Sequence, residues 1–155
     1  MDVVQWIVAG TALYGAVLAT INHLSTKRAS RPRVVVRTTT GFPVCGADIG
    51  EPSIMVEAAN NGHVPVVASS FGLRLPNGDS VWLGHSWTLT GLPAPVLPGR
   101  SHMVAEPMKA LALSLAHHGH TGRLRLIGFC KTEVGDEHRS KPFTFDVDDW
   151  LRSVA

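Results

Sequence analysis

Residues 3–21 carry no charged side chain, and this apolar segment constrains the fold more than any other feature of the chain. A helix of this length is roughly 28 Å long, close to the thickness of the hydrocarbon core of a bilayer. The mildly polar residues within the segment are scattered and form no stripe of the kind found on helices that pack on a soluble core. The sequence therefore predicts a transmembrane anchor over residues 1–22.

Two other interpretations of the apolar segment stay open. A signal peptide begins with a positively charged region, whereas this chain begins Met1-Asp2, although residues 17–19 offer a small-residue cleavage site. A buried helix of a soluble domain is the second alternative, and the missing polar face argues against it. We expect the segment to be retained as an anchor.

A cluster of basic residues follows the apolar segment: Lys27, Arg28, Arg31 and Arg33. Because Lys and Arg mark the cytoplasmic end of membrane helices, we expect the N-terminus to lie outside the inner (plasma) membrane and the C-terminal domain to be cytoplasmic. Residues 23–33 are predicted to be a basic linker whose four cations can rest on anionic lipid. Reduced thiols at Cys45 and Cys130 fit a cytoplasmic domain.

Small residues recur along the predicted anchor at four-residue spacing. Ala12 and Ala16 form one such pair, and Gly15 and Ala19 form another. Pairs of this kind let two membrane helices approach closely, so they predict weak self-association of the chain.

The rest of the chain alternates short runs rich in β-branched residues with turns at Gly and Pro. These runs predict strands at 34–40, 53–62, 64–75, 80–84 and 101–105, and a closing hairpin over 123–147. Residues 92–100 predict a proline-stiffened crossing loop, residues 106–120 one short crossing helix, and residues 148–151 a terminal turn in which Trp150 covers an edge. About seven short strands at this spacing indicate an antiparallel two-sheet β-sandwich over residues 34–155.

Two short motifs add a resemblance to a known family. Residues 56–66, VEAANNGHVPV, resemble the strand and N-x-G-x-x-P turn of immunoglobulin-like domains, and residues 97–101, LPGRS, are similar to a turn before a later strand of those domains. With its N-terminal anchor and its ending RSKPFTFDVDDWL, the chain resembles uncharacterised bacterial single-pass membrane proteins with an immunoglobulin-like β-sandwich domain. The resemblance implies an immunoglobulin-like fold for residues 34–155 and no particular activity.

Two clusters of potential metal ligands lie in the second half of the chain. His117, His118 and His120 are weak candidates for a zinc site, because three histidines within four residues at a helix end do not easily face one ion. Asp146, Asp148 and Asp149 could contact a divalent cation, although acidic residues at such a position more often cap a helix. A metal-dependent enzyme using either cluster is one alternative function.

No recognisable catalytic or cofactor-binding motif is present, so we expect a non-catalytic protein without a cofactor. Cys130 alternates with outward positions of a predicted strand and is expected to be inert core. The net charge of +2 gives no case for nucleic-acid binding.

The sequence thus favours a membrane-anchored interaction module whose cytoplasmic β-sandwich binds a protein partner. Trp82, Trp87 and Pro95 are the candidate contact residues, since tryptophan that is exposed beside a proline-rich loop can form a contact patch. The alternative is that at least one of the two tryptophans belongs to the core. A phage-type or structural membrane spacer protein, in which the anchor performs the main task, is the remaining alternative.

Overall fold

The structure is a computed structural model that describes residues 2–29, 32–45, 48–84 and 91–152. The candidate residues Arg31 and Trp87 lie outside these ranges, and so do the side chains of Lys27 and Arg28. The described chain is mainly β, with antiparallel sheets and an N-terminal helix, and this confirms the coarse fold class that the sequence predicts.

The first element is helix α1 (Val3–Ala29). Residues Trp6–Thr26 are long and apolar enough to cross a membrane by length and composition, and none of that stretch is buried against the rest of the chain. Two of its threonines bond within the helix: the Thr11 and Thr20 hydroxyls donate to the carbonyl oxygens of Ile7 and Ala16 at 2.9 and 2.8 Å. The helix continues to Ala29, so residues 23–29 are helical although the sequence predicts a linker there.

The smaller of the two main sheets has the strand order β1-β4-β8. Its strands are β1 (Val34–Gly41), β4 (Ser53–Asn60) and β8 (Ser101–Pro107), and the two-residue strands β2 (Val44–Cys45) and β3 (Asp48–Ile49) form a separate hairpin between β1 and β4. In β4, Ile54, Val56 and Ala58 are buried while Met55 and Glu57 are partly exposed. This alternation is the one that the sequence predicts, because successive side chains of a strand point to opposite faces.

The larger sheet has the order β10-β9-β5-β6, with β7 paired to the first half of β5. Its strands are β5 (Val66–Arg74), β6 (Ser80–Leu83), β7 (Ala94–Val96), β9 (Arg123–Thr132) and β10 (Glu137–Asp146). Strand β7 corrects the predicted loop at residues 92–100. Proline is tolerated in it because Pro95 is exposed on a strand at the sheet edge, while Ala94 and Val96 on either side of it are buried.

Two helices complete the domain: α2 (Met108–His117) connects β8 of the smaller sheet to β9 of the larger, and α3 (Val147–Arg152) follows β10. The predicted apolar face of α2 is buried, with Met108, Leu111 and Leu115 in the core. Helix α3 replaces the predicted terminal turn, because Asp148 and Asp149 lie in its first turn, where carboxylates are favourable.

One hydrophobic core joins both main sheets and α2. Ile54 and Val56 of the smaller sheet and Phe71, Leu73 and Leu126 of the larger belong to the same cluster of buried side chains. At one side of this core the sheets meet at Ser140, whose hydroxyl oxygen accepts hydrogen bonds from Thr38 Oγ1 at 2.8 Å and from the Gly128 N–H at 3.0 Å. A Cβ at residue 128 would overlap Thr38 Oγ1, so glycine permits this close approach of the sheets.

Candidate functional site

The outer face of the larger sheet carries an aromatic pair that depends on a glycine. Gly72 on β5 is paired with Trp82 on one side and with Phe129 on the other. The two rings meet across it edge to face, with centroids 5.2 Å apart and planes at 80°. A Cβ on Gly72 would lie 2.6 Å from the Phe129 ring and 2.7 Å from the Val81 carbonyl oxygen. The pair therefore requires glycine at position 72.

Cationic side chains lie over both rings of this pair. Lys131 Nζ is 5.2 Å from the centroid of the Trp82 ring, and the guanidinium of Arg74 is 5.2 Å from that of Phe129. Such cation–π contacts are attractive, and more so where water is excluded. Phe129 is fully buried although it points outward from the sheet, whereas Trp82 keeps 53% of its surface exposed. Trp82 is thus held in place from beneath and open to solvent above.

Glu137 joins the cations of this face. Its carboxylate accepts hydrogen bonds from Arg74 Nη2 and Arg139 Nε, both at 2.7 Å, and lies 3.9 Å from Lys131 Nζ. Burial pushes the pKa of Glu137 upward, but the hydrogen bonds and charges of Arg139 and Arg74 outweigh it, so the pKa lies below its ordinary value.

We name this set of side chains the Trp82 face: Arg74, Trp82, Phe129, Lys131, Glu137 and Arg139. Its three cations and one carboxylate give the Trp82 face a net positive charge. An exposed tryptophan on a rigid support, surrounded by charged groups, has the composition of the residues that dominate binding energy in protein interfaces.

A groove of about 600 Å³ adjoins the Trp82 face, between the β5–β6 hairpin and the C-terminal end of α2. We name it the β6 groove. The hairpin wall is formed by Leu75, Asn77, Asp79, Ser80, Val81 and Trp82, and the helix wall by Ser114, Leu115, His118 and His120. The structure therefore brings Trp82 together with two of the three histidines singled out in the sequence.

The side chains of His117, His118 and His120 do not converge on one position. The rings of His117 and His118 are nearly perpendicular, with centroids 5.5 Å apart, and His118 Nδ1–H donates to the Ser114 carbonyl oxygen at 2.7 Å. His120 lies beyond the end of α2 in the wall of the β6 groove. Across the described parts of the chain, no three His, Cys, Asp or Glu side chains are grouped so that they could hold a metal ion.

The three aspartates organise the start of α3. Asp146 accepts a hydrogen bond from the Asp149 N–H at 3.1 Å and one from Arg123 Nε at 3.2 Å, and Asp148 accepts from the Gly122 N–H at 3.1 Å. The bond from Asp149 is the main reason why the pKa of Asp146 lies below its ordinary value. The bond from the Asp149 N–H to Asp146 is a helix cap, and the other two contacts tie α3 to the segment that begins β9.

Three further candidates have different surroundings. Pro95 is exposed on the same outer face as Trp82, but it pairs with Val67, about 15 Å along β5 from the residue that pairs with Trp82. Arg33 is exposed just before β1. The Cys130 side chain is buried as a free thiol, and burial raises its pKa to about 12, which makes a nucleophilic thiolate unfavourable.

The sequence interpretation missed every member of the Trp82 face except Trp82. One signal was present: Phe129 and Lys131 alternate with buried Gly128 and Cys130 and so had to point outward. Their partners were not readable, because β5 and β9 are paired across an interval of the chain that contains α2.

Comparisons with known proteins give distant structural likenesses. No family model matches the chain, and no curated protein matches it. A Northeast Structural Genomics Consortium target, SoR45, is similar over 74% of this chain and 86% of its own, with 14% identity and a TM-score of 0.34. A Bordetella pertussis protein provisionally named ApaA is similar over 74% of this chain and 94% of its own, with 15% identity and a TM-score of 0.37. These low scores assign neither a fold family nor an activity.

Proposed function

We propose that this chain is a single-pass protein of the plasma membrane whose cytoplasmic β domain is a non-catalytic module that binds a protein partner. The observation that carries the proposal is the geometry of Trp82, half exposed on a support of Phe129 and Lys131. A rigid aromatic side chain loses little conformational entropy on binding, and its surroundings on the Trp82 face supply charge for specificity.

We further propose that the β domain is an immunoglobulin-like sandwich. Support comes from the two motifs of the sequence resemblance, which are joined by main-chain hydrogen bonds: Asn60 N–H donates to the Arg100 carbonyl oxygen at 2.9 Å, and Gly99 N–H donates to the Asn60 carbonyl oxygen at 2.8 Å. Contacts between these two turns tie β4 of the smaller sheet to the segment that links β7 and β8.

The proposed membrane placement draws on α1. Its exposed apolar surface needs a nonpolar environment, and its threonine hydroxyls bond to main-chain carbonyls of the same helix, as polar groups within lipid must. Anchoring through α1 would tether the β domain close to the inner leaflet, where the exposed Arg33 can approach anionic lipid.

A cysteine accessibility experiment tests this orientation. We expect Val134→Cys, in a Cys45→Ser background, to resist a membrane-impermeant maleimide in cells with an intact inner membrane and to react after permeabilisation. Val134 is suited to this because it is 80% exposed, while Cys130 is buried and unreactive. Labelling in intact cells would place the domain outside, and a mature chain that begins near residue 20 would show cleavage; either result contradicts the proposal.

Photocrosslinking tests the binding function. We expect the full chain with a photoreactive phenylalanine analogue at position 82 to form a discrete adduct with another protein in membranes of the native host. The same analogue at Lys109, on the exposed side of α2, is the matched control and should give no such adduct. If both positions give the same pattern, or neither gives an adduct, then Trp82 does not mark a binding surface.

A further inference from the structure

Strand β6 has an open side. Among the described strands, β6 is the last in its sheet and pairs only with β5. At the hairpin, Leu75 N–H donates to the Asp79 carbonyl oxygen at 2.9 Å. Because hydrogen-bonded pairs alternate along an antiparallel ladder, Val81 also turns its main-chain polar groups toward β5. Ser80 and Trp82 therefore turn their N–H and C=O groups away from the sheet.

The position of Gly72 supports this assignment independently. A Cβ built on Gly72 would lie 2.7 Å from the Val81 carbonyl oxygen, which must point toward β5 to come so close. The N–H and C=O of Trp82, one residue further, consequently point away from β5, and Trp82 is one of the residues that line the β6 groove. An edge with unpaired main-chain groups beside a groove is the arrangement that accepts an added strand from another chain.

The outer face of the sheet and the floor of the β6 groove differ in chemistry, and this difference defines which segment would bind there. Side chains of an added strand would alternate between the outer face and the floor of the groove. On the outer face they would lie beside Trp82 and Ser80, where Lys131 Nζ is 5.2 Å from the Trp82 ring and Arg74 Nη1 donates to Ser80 Oγ at 2.8 Å. Toward the floor they would meet the buried side chains of Leu75 and Leu115.

We propose that an extended segment of the partner protein, with acidic residues alternating with apolar ones, adds as a strand to the free edge of β6. This inference rests on the proposed binding function and specifies how the partner is held. Main-chain hydrogen bonds to Ser80 and Trp82 supply affinity, and Lys131 and Arg74 together with the apolar floor supply specificity.

Two substitutions of the same residue separate strand addition from side-chain contact alone. Trp82→Ala removes the indole ring and keeps the main-chain N–H, whereas Trp82→Pro removes both. Proline is compatible with folding at this position because the N–H that it lacks points away from β5. The probe is a phage-displayed library of short linear peptides, selected on the full chain in detergent micelles.

We expect the selected peptides to alternate acidic and apolar residues and to bind Trp82→Pro about tenfold or more weakly than Trp82→Ala, since a lost main-chain hydrogen bond leaves a peptide carbonyl unpaired. Equal affinity for the two variants would overturn strand addition. A selection that yields no peptide sensitive to residue 82 would do the same, and so would a photocrosslinked adduct at residue 82 that consists of two copies of this chain.

Hydrogen exchange on the unaltered protein provides a measurement that does not depend on the folding of either variant. Peptide binding should slow exchange of the Ser80 and Trp82 amides, and unchanged exchange at both would overturn the inference. Unchanged exchange would not alter the photocrosslinking result. The two experiments therefore distinguish an error in the proposed strand addition from an error in the proposed binding function.

Discussion

Replacement of Asn60 by alanine is expected to lower the free energy of unfolding by about 3–5 kcal/mol, a large share of the roughly 5–15 kcal/mol by which folded domains are ordinarily stable. The Asn60 side chain is fully buried. Its Nδ2 donates to the carbonyl oxygens of Val64 and Val96 at 2.8 and 2.9 Å, and its Oδ1 accepts from the Gly62 N–H at 2.9 Å. Alanine would leave these three main-chain groups without their partner, and each such loss costs about 1 kcal/mol or more.

The neighbouring asparagine is the matched control. Asn61 is exposed and uses its main-chain N–H, which alanine retains, to donate to the Arg33 carbonyl oxygen at 2.8 Å. Chemical unfolding of the full chain in detergent, followed by tryptophan fluorescence, measures both variants. Asn61→Ala should lie within about 0.5 kcal/mol of the parent chain. An Asn60→Ala variant as stable as Asn61→Ala would contradict the role assigned to this side chain.

Asn60 also shows which structural features local sequence patterns can predict and which they cannot. The turn after β4 was predictable, because Asn-Asn-Gly favours one locally and the preceding strand alternates clearly. The bond from Asn60 to Val96 was not, since it requires β7, a strand of three residues with a proline at its centre. A proline in such a short run weakens every local strand signal. Residues 94–96 form a strand because they pair with Val66–Ala68 of β5.

The composition of the Trp82 face was also unpredictable from local patterns, because it depends on strand pairings that are distant in sequence. The sequence left open whether Trp82 is exposed or part of the core, and Phe129 and Glu137 join its face through pairs that are distant in sequence. Alternation identifies which side of a strand faces outward, and it carries no information about which strand lies alongside. The sequence could therefore name Trp82 as a candidate and could not predict the cations around it.

Replacement of Glu137 by glutamine tests these surroundings. At neutral pH it should lower the free energy of unfolding by about 1–3 kcal/mol, because Arg74, which is largely buried, and Arg139 lose a charged acceptor. The pKa of Glu137 is depressed in the folded chain, so its contribution is present above the ordinary pKa of 4.5 and is lost as the pH falls through the folded value.

The difference in unfolding free energy between the parent chain and Glu137→Gln should therefore be constant near neutrality and should shrink as the pH falls below about 4.5. The pKa of Asp146 is also depressed, but Asp146 is present in both chains and its contribution cancels in the difference. Glu133→Gln, an exposed position of the same hairpin, should show almost no difference at any pH. A difference for Glu137→Gln that does not change with pH would mean that packing, and not charge, gives Glu137 its contribution, and the role assigned to its ion pairs with Arg74 and Arg139 would then be wrong.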